Sequence, residues 1–292
     1  MRVSFPDSFS ALFSRTYRCN LAALVALCVL QGLLTSAAAQ GNLLITPGRI
    51  VFEGQKNFQE LNLANTGSDT ARYAVSFMEI KMKEDGTFEQ ITQPDSGQQF
   101  ASPYLRLFPR NVVLAPNEAQ SVKVQLKRNN SLPAGEYRSH LYFRAVPAEM
   151  PLGETAPETP ADGISVKLTP LFGISIPVIV RVGETTSDLS ITNLSLSLKE
   201  EQQPRLYMSF NRTGNASVYG DIQVDHIALN GKTTPVALIN GVAVYTPVTS
   251  RRLNILLDTR QGIDYRRGKL RVTYTFKPDT TPSRQVQAEL PL

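Results

Sequence analysis

The sequence predicts an all-β protein built as two β-sandwiches. Three observations carry this: apolar residues recur with a period of two, turn residues break these runs at short intervals, and helical spacing is nowhere sustained. Strands punctuated every eight to twelve residues or so fit sandwich architecture better than a helical or mixed one.

The first segment stands apart from both sandwiches. Arg2, Arg15 and Arg18 give a positive start, Leu21 to Leu34 is a short apolar run, and Ala37-Ala38-Ala39 is a small-residue cleavage pattern. Residues 1–39 therefore read as a removable signal peptide, with Gln40 or Gly41 as the new N-terminus. The apolar run is short for a bilayer, and no later stretch approaches about twenty apolar residues, so export without stable membrane insertion is expected. Cys19 and Cys28 both lie in this segment. The mature chain then has no disulfide, and each domain must rest on its packed core. Processing lowers the formal net charge from +5 to +3, and no run of Lys and Arg tracks a phosphate backbone, which argues against nucleic acid.

The first domain, 40–182, opens with Leu43 to Phe52, interrupted by Pro47-Gly48. Proline cannot donate to a ladder, so an edge strand that kinks and changes sheets is expected. Leu61 and Leu63 follow, then Tyr73, Val75 and Phe77, then Val122, Val124 and Leu126, each set alternating with polar residues. Between them lie Asn65-Thr66-Gly67, Glu84-Asp85-Gly86, Ala115-Pro116-Asn117 and Pro133-Ala134-Gly135, all with turn chemistry. Ala148 to Gly163, rich in Pro, Glu, Ala and Thr, reads as a solvated loop.

From Ile164 to Val182 every even position except Pro170 is apolar, while odd positions are mostly small or polar. Such a strand would span roughly 60 Å, more than one domain covers, so part of it should protrude or bridge. A break at Pro170 or Gly173 into two ordinary core strands is the alternative. Gly183 to Asp188 reads as a hinge into the second domain, 183–292, where Asn230-Gly231 and Asn240-Gly241 predict hairpin turns.

Enzyme chemistry finds little support. His140 and His226 are isolated, and processing leaves no cysteine, so no His/Cys metal cluster is expected. Neither a Gly-x-Ser-x-Gly elbow nor a phosphate-cradling glycine loop occurs, and no catalytic residue or cofactor is assigned. Glu136 and His140 share one strand face and read as a surface pair.

Ile45-Thr-Pro-Gly-Arg49-Ile-Val-Phe-Glu-Gly54 resembles the first strand of PapD-like pilus chaperones. The stretch from Phe108 to Asn117, the continuation Ser121 to Leu126, and Leu132-Pro133 through Glu136 to Pro147 resemble later strands of that family, in the same order. The resemblance covers about residues 43 to 182. It implies two immunoglobulin-like sandwiches in an L-shaped arrangement, located in the periplasm. It also implies pilus or fimbrial subunits and an outer-membrane usher as partners. Such chaperones act by donor-strand complementation, a form of strand addition in which a subunit lacking a strand borrows one. Leu168, Phe172, Ile174 and Ile176 would be the donated side chains. The family's anchor for the subunit's terminal carboxylate maps to Arg49, but Pro177 stands where the second cation, a lysine, belongs. Arg181, four residues on, is the candidate substitute. Arg49 as a solvated edge-strand residue is the alternative to the anchor. The rival function is an exported structural or adhesive surface protein of two sandwiches, which would polymerise where a chaperone stays a monomer or weak dimer.

Overall fold

The computed structural model describes residues 43–127, 132–147, 172–199, 203–259, 262–277 and 284–292, and in it the period-two runs become strands. The signal segment, Leu168 and the loop 148–163 lie outside the described residues. The first part contains β1 (Leu43–Thr46), β2 (Ile50–Phe52), β3 (Phe58–Asn65), β4 (Ala71–Met78), β5 (Ile80–Met82) and β6 (Phe88–Gln90). It continues with β7 (Leu105–Phe108), β8 (Asn111–Leu114), β9 (Ala119–Leu126), β10 (Gly135–Ala145) and β11 (Gly173–Val182). The second part holds β12 (Ser187–Ser197), β13 (Arg205–Gly214), β14 (Val218–Ile227), β15 (Thr233–Val244), β16 (Ser250–Leu256), β17 (Lys269–Phe276) and β18 (Gln285–Pro291).

The N-terminal sandwich packs the sheet β1-β3-β9-β7 against the sheet β2-β11-β10-β4-β8. Alternation translates into burial: Leu61, Leu63, Val122 and Val124 point inward and are fully buried, while Glu60, Asn62 and Lys123 face out. They meet Phe52, Val75, Leu141, Phe143, Val178 and Val180 from the facing sheet. Each such side chain removed from water contributes about 1.5–3 kcal/mol before the entropy of ordering is subtracted. The C-terminal sandwich packs β12-β13-β16 against β15-β14-β17-β18 around Leu206, Phe210, Val224, Val272 and Tyr274.

The opening strand changes sheets at Pro47-Gly48, as its sequence predicts. Before the break, β1 runs antiparallel to β3, with Ile45 opposite Leu63. After it, β2 runs parallel to β11, with Ile50 opposite Val178 and Phe52 opposite Val180. Asn117, at a left-handed φ of 61°, closes the turn predicted at Ala115-Pro116-Asn117, with Glu118 N–H donating to Ala115 O at 3.0 Å.

One predicted hairpin is a bulge instead. Asn230-Gly231 does turn the chain between β14 and β15, but Asn240-Gly241 lies inside the continuous strand β15. The register with β14 passes from Ile222 opposite Ile239 to Gly220 opposite Val242, so that Asn240 and Gly241 face Asp221 alone, one extra residue on the β15 side. Gly241 takes a φ of 74°, and its N–H donates to the Asp221 carboxylate at 2.8 Å. The glycine supplies the left-handed step of either structure, and pairing with β14 on both sides decides for the bulge.

Candidate functional site

Two features of the N-terminal sandwich converge where it meets the C-terminal one: the edge of β11 and the outward face of β10. β11 pairs with β10 along its whole length, from Gly173 opposite Arg144 to Val182 opposite Gly135. On its other side β2 covers only Val178 to Val180. Among the described residues no strand pairs with Gly173 to Pro177 on that side, which leaves backbone groups available to another strand. Arg49 directly precedes β2, so it marks the end of this open edge.

The faces of β11 are divided between two neighbours. Ile176, Val178 and Val180 are buried in the N-terminal core, and Ile174 packs partly buried against it. The opposite face carries Ile179, which packs with Met82 of β5 and with Ala243 and Tyr245 of the C-terminal sandwich. Phe172, just before the strand, is 54% exposed. Of the four side chains named for donation, Ile176 is therefore enclosed by the protein's own core. Ile174 is half-buried there, and only Phe172 among the described ones is presented outward. Leu168 lies outside the described residues.

The even residues of β10 form the second feature. Glu136, Arg138 and His140 are all at least 96% buried beneath the C-terminal sandwich, so Glu136 and His140 are not the surface pair their sequence suggested. The Glu136 carboxylate accepts from Ser217 N–H at 3.0 Å, from the Ser217 hydroxyl, from Thr246 Oγ1 at 3.4 Å and from Arg181 Nε at 3.3 Å. Thr246 N–H in turn donates to Ser217 Oγ at 3.0 Å. Arg181 also approaches Glu53 at 3.8 Å and donates to Ser217 O at 3.5 Å. Its guanidinium thus joins the two sandwiches.

Arg49 and Arg138 contrast with this cluster. Arg49 stacks over the Tyr219 ring, Cζ 4.5 Å from the centroid, and Arg138 over the Tyr245 ring at 4.6 Å. Nε and Nη1 of both arginines are buried without a hydrogen-bond partner. Arg138 keeps one long bond, Nη2 to Thr246 O at 3.3 Å. Burial pulls its guanidinium below the usual arginine value and the charge of Arg49 adds to this, while Tyr245, Glu136 and Glu79 oppose the shift. His140, beside it, is lowered to about 3 by burial and by the Arg138 charge, so its imidazole is neutral at physiological pH.

The segment Arg212 to Asp221 builds the far wall. Arg212 is buried and donates to Val248 O, Gly214 O and Ala216 O at 2.8–3.0 Å, fixing the loop that carries Ser217 and Tyr219. Gly220 allows β17 to approach, since a Cβ there would lie 2.3 Å from Thr275 O. The β5–β6 hairpin closes one side: Glu84 O accepts from Arg252 N–H at 2.6 Å, and Phe88 lies against His140 and Tyr245. A separate hollow of about 390 Å³ near His226, Lys232 and Arg267 contains none of these groups, and His226 there is bonded to Arg267 O. Sequence reasoning named Arg49 and the segment Arg212 to Asp221, which contains Tyr219, but did not single out Arg138 or Tyr245. The only local signal was the run of ionisable residues Glu136, Arg138 and His140 at alternate positions.

No protein-family model matches the sequence, and no curated protein matches it. Solved structures similar to this chain include several chaperones. The YadV chaperone is 12% identical with a TM-score of 0.42, the match covering 86% of this chain and 100% of that one. The Pseudomonas aeruginosa CupB2 chaperone is 12% identical with a TM-score of 0.40, covering 84% of this chain and 98% of that one. A chain of the CsuC–CsuE chaperone–tip adhesion subunit pre-assembly complex, from archaic chaperone-usher Csu pili of Acinetobacter baumannii, is 13% identical. Its TM-score is 0.42, covering 85% of this chain and 98% of that one.

Proposed function

We propose that this protein is a PapD-like periplasmic chaperone that caps pilus or fimbrial subunits by strand addition and delivers them to an outer-membrane usher. The observation that carries the reading is the open edge of β11 from Gly173 to Pro177, ending at Arg49, whose Nε and Nη1 have no hydrogen-bond partner. An incoming strand gains register from backbone hydrogen bonds along that edge. Its terminal carboxylate takes the place beside Arg49, whose planar fork offers two parallel hydrogen bonds. Because the terminus then lies at the Pro177 end, the strand runs in the same direction as β11. Phe172, and the alternating apolar positions that precede it in sequence, supply the side chains that enter the subunit. Ile174 and Ile176 hold the donor strand to its own domain.

Co-purification of subunits with the periplasmic protein tests this. Arg49→Ala removes one partner of a buried charge pair, worth about 2–5 kcal/mol, so subunit affinity should fall more than about thirtyfold. Arg49→Lys should recover only part, since an ammonium lacks the planar fork. Phe172→Asp should weaken capture while the chaperone stays folded, because the side chain is exposed in the unbound protein. Ile174→Asp should instead destabilise the chaperone itself, by placing a charge against its core. Unaltered subunit binding in both Arg49→Ala and Phe172→Asp would defeat the reading. The exported protein should have the intact mass of a chain starting at Gln40 or nearby.

A further inference from the structure

The proposed carboxylate site lacks its second cation on β11, because Pro177 occupies the position. The neighbouring strand carries one. We propose that Arg138 of β10 is that second cation, and that Arg49 and Arg138 together receive a single carboxylate at the end of the open edge. The inference rests on the function proposed above.

The argument begins with cost. A buried guanidinium without partners loses its hydration and gains nothing in return, and each buried unsatisfied donor costs about 1–3 kcal/mol. Arg138 has two such donors, Nε and Nη1, and Arg49 has the same two. Among the described residues, no carboxylate lies within ion-pair distance of either. Glu136 gives its oxygens to Ser217, Thr246 and Arg181, and Glu79 gives Oε1 to the Ser139 hydroxyl while its Oε2 is buried without a hydrogen-bond partner. Glu136 and Glu79 favour the charge of Arg138 only from a distance, and the Arg49 charge works against it, so neither guanidinium has a carboxylate bonded to its free N–H groups. An anion between them would relieve the repulsion and satisfy donors on both.

The surroundings favour a flat ligand. Tyr219 and Tyr245 each lie under one guanidinium, Cζ 4.5 and 4.6 Å from the ring centroids, a contact that does not use the N–H groups as hydrogen-bond donors. Both tyrosines come from the C-terminal sandwich, so the site exists only when the sandwiches are joined. This gives the second sandwich a direct part in recognition. A brace between sandwiches is the competing role for Arg138, through its bond to Thr246 O. The two roles differ in what happens when an anion is added.

The test uses the mature protein labelled with ¹⁵N-arginine, following the Nε–H signals of Arg49 and Arg138 during addition of sodium formate against sodium chloride at constant ionic strength. Both signals should move along one saturation curve. Arg138→Met should weaken formate binding at least tenfold and leave Tm equal or higher, since an unpaired buried charge gives way to an apolar side chain of similar length. Arg138→Lys, which keeps the charge, should recover part of the affinity. If Arg49 responds while Arg138 stays silent, Arg138 is a brace and the inference fails, with the Arg49 anchor intact. If Arg138→Met unfolds the protein and the Arg138 signal does not respond to formate, the brace is again established. Equal response to sodium sulfate would overturn the assignment to a carboxylate. Silence of both signals in a protein that still captures subunits would remove the two-cation site without touching donor-strand binding.

Discussion

Glu136 and Arg138 are two residues apart on one strand, face the same neighbour and are equally buried, yet their surroundings are opposite. Around Glu136 both carboxylate oxygens have donors: Ser217 supplies two, and Thr246 and Arg181 one each. Around Arg138 and Arg49, Nε and Nη1 have none. The difference separates two uses of buried charge. A satisfied ionic cluster fixes how parts of a protein fit, whereas an unsatisfied one leaves donors open to a partner molecule. Burial alone does not distinguish them, and the hydrogen-bond census does.

Three measurements can break or sharpen this contrast. The largest effect is expected at Glu136. Its replacement by alanine removes the carboxylate that Ser217, Thr246 and Arg181 share, and should lower unfolding free energy by about 3–5 kcal/mol, read as a lower denaturant midpoint at unchanged slope. A loss below 1 kcal/mol would mean that the cluster does not secure the joint.

The next effect is a pH dependence from His140. Its folded value is lowered to about 3, mainly by burial, against 6.5 when unfolded. Below 6.5 the unfolded chain takes up a proton that the folded one refuses, so stability is full above that pH and falls as the pH drops toward 3. The loss attributable to this residue should reach about 2 kcal/mol at pH 5 and disappear in His140→Phe. Equal acid sensitivity in the variant would assign the effect to other groups.

The smallest effect is expected at Arg49. Removing it should change the stability of the unbound protein by no more than about 0.5 kcal/mol, because its lost stacking on Tyr219 is offset by relief of its unmet donors. Marked destabilisation by Arg49→Ala would place Arg49 in the satisfied class and erase the distinction.

Much of the fold was legible because period-two alternation reports which side chains share a face. Leu61 with Leu63, and Val122 with Val124, were assigned to a core on that basis and occupy one. Pro47-Gly48 announced the change of sheet because proline is incompatible with an uninterrupted ladder. What alternation does not report is whose core a face fills. Ile174 and Ile176 continue the same apolar series as Phe172, yet they serve the N-terminal core while Phe172 points outward. Arg138 escaped notice for the converse reason. Its strand has one apolar and one polar face, like any half-solvated strand, and the polar face is buried only because Tyr219, Tyr245 and Thr246 arrive from far along the chain. Asn240-Gly241 shows the same limit at a turn, since a bulge and a hairpin require the same left-handed glycine.

The short strand β2 has a further consequence for selectivity. It already fills the sheet position that continues the open edge of β11 beyond Pro177. A strand entering that edge meets a buffer stop: it can extend in one direction but cannot run through. The middle of a polypeptide, with chain continuing at both ends, would collide with β2 or have to loop away from it. A chain end fits. Under the proposed function, the protein would tell tails from middles before any side chain is compared, and a nascent polypeptide would become acceptable only once its last residue exists.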